Sequence, residues 1–390
     1  MTREAELADL KQRLREISDL RGAESVLGWD QATYMPPGGA EARGRQLALL
    51  SRLGHERLVD PAIGRLLDSL APWAEAQEAD SDAAALVRVT RRDFERAVRV
   101  PPAFVQRLSE HTATSYDAWE RARPANDFAA VQPLLETTVE LSRELAAYYT
   151  GYAHPFDALI DLAEDGMTVA AVRALFTELR AGLVPLIAAI RARPEIDDRC
   201  LEGDFPEQAQ KAFGEQAIRA FGYDYARGRQ DKTAHPFMTK LGRGDVRITT
   251  RYRADSLSDG LFSTLHEAGH AMYEQGIDDG LEGTPLYTGT TAGVHESQSR
   301  LWENLVGRSL PFWRHWYAPL QAAFPGVLDD VDVDTFYRAI NKVRPSLIRT
   351  EADEVTYNLH VMLRFDLELA LLEGKLKVAD LPEAWRARVQ

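Results

Sequence analysis

Between Leu261 and Gln275 the chain reads Leu-Phe-Ser-Thr-Leu-His266-Glu267-Ala-Gly-His270-Ala-Met-Tyr-Glu-Gln, an H-E-x-x-H pattern. Residues four apart on a helix lie one turn above each other. Two imidazoles so placed can converge on one cation, at the roughly 2.0–2.1 Å usual for zinc. Glu267, next to the first histidine, then reaches a water held by the cation rather than the cation itself, which suits it to proton transfer. Catalytic zinc sites usually take three protein ligands and keep one position open. A third donor is therefore expected downstream. A glycine-rich passage with Gly276, Gly280, Gly283, Gly289 and Gly293 leads into Val294 to Glu303, where helical spacing resumes with Glu296 in its first turn. His295, Glu303, Asp278 and Asp279 compete with it. The two aspartates follow the first helix too closely to fold back, and Glu303 lies two turns further on. Glu296 leads, with His295 expected in the wall of the site.

These residues need particular elements to position them. A helix over residues 256–275 would carry the histidine pair: Leu261, Leu265, Ala268 and Met272 give it one apolar face, Ser256 with Asp259 offers a capping-box-like start, and Gly276 a stop. A second helix over 294–308 would carry Glu296. Upstream, Val246, Ile248, Thr250 and Tyr252 alternate with Arg247, Thr249, Arg251 and Arg253, the two-residue period of a strand over 245–253. Such a strand can form a cleft edge on which a peptide lies extended, or belong to a small structural hairpin. Elsewhere the pattern is amphipathic helix, over 4–20, 42–70, 103–123, 128–150 and 168–192. Breaks are expected at Pro36-Pro37-Gly38-Gly39, at 74–86, at Pro101-Pro102, at Pro155, and from Pro194 through Pro206.

Composition sets the outer bounds. The 390 residues are 45% apolar, enough for a substantial core as one large domain or two close lobes. Cys200 is the single cysteine, so no intrachain disulfide can form, and the charged opening segment does not resemble a secretory signal, which points to the cytoplasm. The longest apolar run, Ala181 to Ile190, contains Pro185 and is far shorter than the roughly 20 residues that cross a bilayer. A net charge of −14, without a basic stripe among aromatics, argues against nucleic acid as a partner.

Beyond spacing, the phrasing resembles a known family. His266-Glu267-x-x-His270 and His295-Glu296-Ser297-Gln298 look like the two signature motifs of the carboxypeptidase Taq family, whose third metal ligand is the glutamate aligned with Glu296. Ile348-Arg349-Thr350-Glu351-Ala352-Asp353 and Asp245-Val246-Arg247-Ile248-Thr249 resemble two further family motifs, in family order. The stretch Gly28 to Arg43 and His235-Pro236-Phe237 are similar to its usual wording. The resemblance implies a mainly α fold: a large helical body with a deep substrate cleft, and a small β-sheet beside the zinc helix. It implies a zinc metallocarboxypeptidase, with cobalt a possible substitute, working as a homodimer on peptides with a free C-terminus. Glu267 would then be the base. A carboxypeptidase must also hold the terminal carboxylate, for which the planar fork of an arginine is suited. Arg349 is the candidate for substrate binding, with Arg247 and Arg344 as alternatives.

Related zinc enzymes often orient a ligand histidine with an acid one turn after the ligand glutamate. Here that position is Arg300, which leaves Asp353 as a candidate acceptor. Trp302, Trp313, Trp316 and Tyr317 are spaced as packed helix residues and are expected in the core. Glu351, Asp353 and Glu354 have no nearby histidine to complete a second metal site and are expected on a solvated or hydrogen-bonding face. Two other functions compete: an oligoendopeptidase, which H-E-x-x-H alone permits, and a metal-binding but catalytically incomplete subunit. The second arises at the end of the chain. Asp380 to Gln390 begins a helix, with Asp380 at the N-cap, Pro382 in the first turn and Glu383 three after the cap, and nothing closes it. The family continues past this point into a Gly-x-x-Gln-Asp-x-His-Trp motif and a cleft tyrosine. The expectation is that these 390 residues bind metal but turn over peptides weakly, and that a family-like C-terminal segment restores activity.

Overall fold

The computed structural model of the protein describes residues 2–389. Its first part is wholly helical: α1 (Arg3–Thr33), α2 (Ala40–Leu58), α3 (Pro61–Glu75), α4 (Asp82–Ala97), α5 (Pro102–Ala125), α6 (Phe128–Ala147), α7 (Pro155–Ala163), α8 (Val169–Arg191) and α9 (Glu207–Phe221). Three short strands follow, β1 (Gln230–Lys232), β2 (Met238–Gly242) and β3 (Asp245–Thr250). Then come α10 (Ser258–Gln275), α11 (Ala292–Arg300) running into a π-helical turn (Leu301–Val306), α12 (Leu310–Ala323), α13 (Val333–Ile340), α14 (Tyr357–Leu372) and α15 (Leu381–Val389). The chain is mainly α, with one small sheet.

Local chemistry accounts for many of the boundaries. Side chains of Thr2, Asp60, Ser81, Asp127 and Thr168 accept backbone N–H bonds at helix starts, satisfying donors that the helix leaves unpaired. The periodic stretch 42–70 is therefore two helices. Asp60 caps a new one with Pro61 in its first turn, and the apolar phase carries across the break. At the far end, Asp380 closes a 3-10 turn before α15, and Gln390 lies outside the described residues.

The sheet order is β1-β3-β2. β3 pairs in parallel with β1 (Gln230 opposite Ile248) and antiparallel with β2 (Met238 opposite Ile248). The alternation in the sequence is thus a real strand, but it stops at Thr250 and occupies the centre. With both of its edges bonded, β3 has no free edge on which a peptide could lie. It is half of a β2–β3 hairpin, turned at Gly244, whose φ of 71° is the left-handed region that glycine adopts without strain. A backbone that is already paired is invisible in a side-chain pattern, so alternation alone could not separate centre from edge.

Val246 and Ile248, 1% and 0% exposed, pack from β3 against α10, whose Leu261, Leu265, Ala268 and Ala271 are buried in the main core. Phe213 and Ile218 of α9, Trp313, Trp316, Tyr317 and Leu320 of α12, and Phe336 of α13 complete that core. The aromatics of 313–317 are therefore packing residues, and Trp302 packs in a tilted arrangement on Phe221 with ring centroids 4.5 Å apart. A second core joins α1, α3 and α4 through Leu10, Leu14, Ile63, Leu67 and Leu86. Leu265 is fully buried directly beneath the histidines, so Leu265→Ala is expected to destabilise the protein by about 2–5 kcal/mol in denaturant unfolding. A loss below about 1 kcal/mol would show that α10 is not held by this face. Among the described residues no helix is long and apolar enough to cross a membrane.

Candidate metal centre

The helix that presents the histidines begins differently from its sequence signals. Leu257 precedes α10 without a side-chain cap, and Asp259 instead pairs with Arg251 at 2.9 Å. A charged partner outcompetes the local cap. The helix ends as expected at Gln275, with the Gly276 N–H bonded to the Met272 carbonyl.

α11 runs antiparallel to α10 and very close to it. A Cβ on Gly269 would stand 2.7 Å from both the Gln298 carbonyl oxygen and Ser299 Cα, so glycine between Glu267 and His270 is what lets the second helix approach. The N-terminus of α11 is capped by Thr291, and Glu164, from the turn after α7, accepts the Gly293 N–H at 2.8 Å. The result brings Glu296 between the two histidines. Its Oε2 lies 3.4 Å from His270 Nε2 and 3.7 Å from His266 Nε2, and one donor atom from each of the three lies within 4.8 Å of the others. A cation with bonds of about 2.0–2.2 Å in a tetrahedral array spaces its donors by roughly 3.3–3.6 Å. Two neutral imidazole nitrogens and one carboxylate oxygen are the donor set that such an ion takes, so the residues fit one. The histidine side chains are 18% and 16% exposed and that of Glu296 is 44%, which leaves the solvent side open for a further ligand.

Both histidines are held from behind. His266 Nδ1 donates to Glu303 Oε2 at 2.8 Å, and His270 Nδ1 lies 2.7 Å from His295 Nδ1. His295 Nε2 is in turn 3.0 Å from Glu274 Oε1, and the other oxygen of Glu274 pairs with Lys240 at 2.9 Å. The acid behind His266 is thus Glu303, not Asp353. Asp353 spends its oxygens on the start of α14, accepting from the backbone N–H groups of Val355 and Thr356 and from the Thr356 hydroxyl. The two turns that separate Glu303 from Glu296 take it past the histidine tips and bring it beside the rear nitrogen of His266. Glu354 is exposed, and the side chain of Glu351 lies outside the described residues.

Arg300 binds two of the acids, at 3.0 Å from Glu296 Oε1 and 3.1 Å from Glu303 Oε2, and lies 3.9 Å over the ring of Tyr357. Electrostatics follow from this packing. Glu267 is 6% exposed, and burial beside Glu296 and Glu303 pushes its carboxyl up to about 7, against the lowering effect of His266. Burial also raises Glu296, but the neighbouring His270 and His266 and the Arg300 guanidinium outweigh it and hold the carboxyl at about 2. Glu274 is likewise held at about 2, its burial outweighed by hydrogen bonds from His295, Gly289 and Lys240.

Arg349 donates to the Tyr357 hydroxyl and lies 5.5 Å from the ring that Arg300 covers. It therefore stands one aromatic ring beyond the partner of Glu296. Arg247 is committed elsewhere, bonded to Asp245 through two nitrogens at 2.8 and 2.7 Å and lying 4.2 Å over Trp29. Arg344 is exposed. Arg349, Arg123, Arg251 and Arg364 all act on His235, which burial and these charges push down from the usual imidazole range. Glu274 and Lys240 were missed from sequence. A signal for Glu274 existed, since 266, 270 and 274 fall on one helical stripe, whereas Lys240 sits on an element too short to read.

The chain as a whole is similar to known proteins. The sequence model of the family described as Carboxypeptidase Taq (M32) metallopeptidase matches residues 9–390. Thermostable carboxypeptidase 1 of Thermus thermophilus is 43% identical over 397 residues, covering 99% of this chain and 77% of the relative. Carboxypeptidase 1 of Bacillus subtilis is 36% identical, covering 100% of this chain and 77% of its own length. Among solved structures, an M32 carboxypeptidase from Deinococcus radiodurans superposes with a TM-score of 0.88 at 50% identity, over 98% of this chain and 77% of that one.

Proposed function

The chain belongs to the carboxypeptidase Taq (M32) family of metallopeptidases, and from that premise we propose that His266, His270 and Glu296 hold its metal ion, zinc, with Glu267 as the general base. As a metallocarboxypeptidase it hydrolyses peptides from the C-terminus. The observation that carries the assignment is the Glu296 carboxylate standing 3.4 and 3.7 Å from the tip nitrogens of both histidines, with buried Glu267 next to the first. When bound, the ion supplies a Lewis acid that polarises a carbonyl and acidifies water. Glu267 takes the proton of the attacking water and passes it to the departing amine nitrogen, which completes hydrolysis without an acyl-enzyme. Glu303 and His295 keep the two imidazoles turned toward the cleft, and Arg300 offsets the charge gathered by Glu296 and Glu303.

Which bond is cut depends on where the terminal carboxylate is held. Arg349 serves as that clamp, fixed by Tyr357, in a part of the protein where Arg123, Arg251 and Arg364 also contribute positive charge around His235. The expected result for Arg349→Ala is a loss of the preference for a free over an amidated C-terminus, by about 10-fold or more, since a charge-assisted pair contributes about 1.5–3 kcal/mol. Rates on the two peptides in the same ratio as in the unaltered chain would move the clamp elsewhere. Zinc over other divalent ions, a homodimeric state and a cytoplasmic site of action belong to the same proposal. Metal analysis of the purified protein together with its mass in solution tests the first two.

A further inference from the structure

Lys240, Glu274, His295 and His270 form an unbroken line from the β2 strand to the candidate metal centre, and its polarity can be assigned from one end to the other. Glu274 is 3% exposed and has four partners: Lys240 Nζ at 2.9 Å on one oxygen, and on the other the Thr288 hydroxyl at 3.1 Å, the Gly289 N–H at 2.9 Å and His295 Nε2 at 3.0 Å. Lys240 and the Gly289 N–H can only donate, and the Thr288 hydroxyl donates to it as well. A carboxylate so surrounded accepts everywhere, and His295 must therefore present Nε2–H to it. A neutral imidazole protonated at Nε2 has a bare Nδ1. That bare nitrogen is 2.7 Å from His270 Nδ1, which must supply the hydrogen, and His270 is left with its lone pair on Nε2, the atom facing Glu296. With both rings neutral, reversing any one link would place two acceptors or two donors against each other.

Resting on the reading of His270 as a metal ligand, we infer that His295 and Glu274 are positioning residues that fix the tautomer and the ring angle of His270. The packing supports this use. A Cβ on Gly289 would meet His295 Cδ2 at 2.5 Å and Tyr273 Cε1 at 2.9 Å, so the glycine-rich loop closes directly onto the His295 ring. Tyr273 meets the same ring edge-on, with centroids 5.1 Å apart. The two histidines are thereby held unequally: His266 leans directly on a carboxylate, and His270 on a second imidazole ring whose carboxylate partner is one hydrogen bond further away.

Chelator competition for zinc, run on the full chain, tests the inference. His295→Phe keeps the ring and removes both nitrogens, and is expected to weaken zinc binding by about 10–100-fold, the usual cost of losing an outer hydrogen-bond partner. His295→Asn places an oxygen near the former Nδ1 position and is expected to recover most of that loss. The denaturation midpoint of the metal-free variants serves as the control for a merely structural role, and it is expected to be alike in both. Unchanged zinc affinity in His295→Phe, or an Asn variant no better than Phe at equal metal-free stability, would overturn the inference. His270→Ala separates this from the reading beneath it: if that variant keeps its zinc, the ligand assignment fails and the relay fails with it. Nitrogen-15 spectra of the histidine rings in the zinc-loaded, unaltered chain give a check that needs no variant. The relay requires Nδ1–H on His270 and Nε2–H on His295, and the opposite pair would overturn it.

Discussion

Glu267→Gln is expected to leave the metal content at about one ion per chain while turnover falls by ~10²–10⁴-fold, the range typical for removing a general base. Glutamine has the same shape, so the packing around this nearly buried side chain survives. What it lacks is the ability to accept and return a proton. Because the carboxyl is forced upward by burial and by Glu296 and Glu303, removing its charge also relieves repulsion among three acids. The variant should therefore unfold at no lower a temperature than the unaltered chain. Turnover within a few-fold of normal would end the claim of Glu267 to the proton transfer.

The second large effect is expected for His270→Ala. It deletes one of the three proposed donors and leaves His295 Nδ1 facing a void, so metal affinity should fall by more than the ~10–100-fold that an outer partner is worth. Dialysis against buffer without metal, followed by elemental analysis, should find the variant empty and its activity gone. The fold should remain, since the core face of α10 is made by Leu261, Leu265 and Ala268 on the other side of the helix. Metal retained at one per chain would remove His270 from the site.

Much of this arrangement is legible in the sequence because helical spacing is a geometric statement. His266 and His270 four apart, an apolar face at 261, 265 and 268, and a second helix after a glycine-rich return bring the histidine pair and Glu296 together without reference to any fold. Family resemblance then supplies the activity, which spacing alone would have left shared with endopeptidases. The parts that were not legible depend on partners distant in sequence. Asp259 looks like a helix cap until Arg251 is beside it. Residues 245–253 look like a cleft edge until β1 and β2 are seen on both sides. Glu303 looks too far along its helix to join the cluster; its carboxylate lies against the back of His266, because α11 is antiparallel to α10. Glu274 and Lys240 are a buried ion pair between a helix and a strand 34 residues apart, and no local pattern announces it.

The most direct test of the whole account is hydrolysis of an N-blocked dipeptide and of its C-amidated twin by the purified protein, before chelation, after chelation, and after zinc is returned. The account predicts cleavage of the free-carboxylate peptide alone, its loss with chelator, and its recovery with zinc. Hydrolysis that persists without metal would contradict the assignment of His266, His270 and Glu296, and equal cleavage of the amidated twin would contradict a carboxypeptidase.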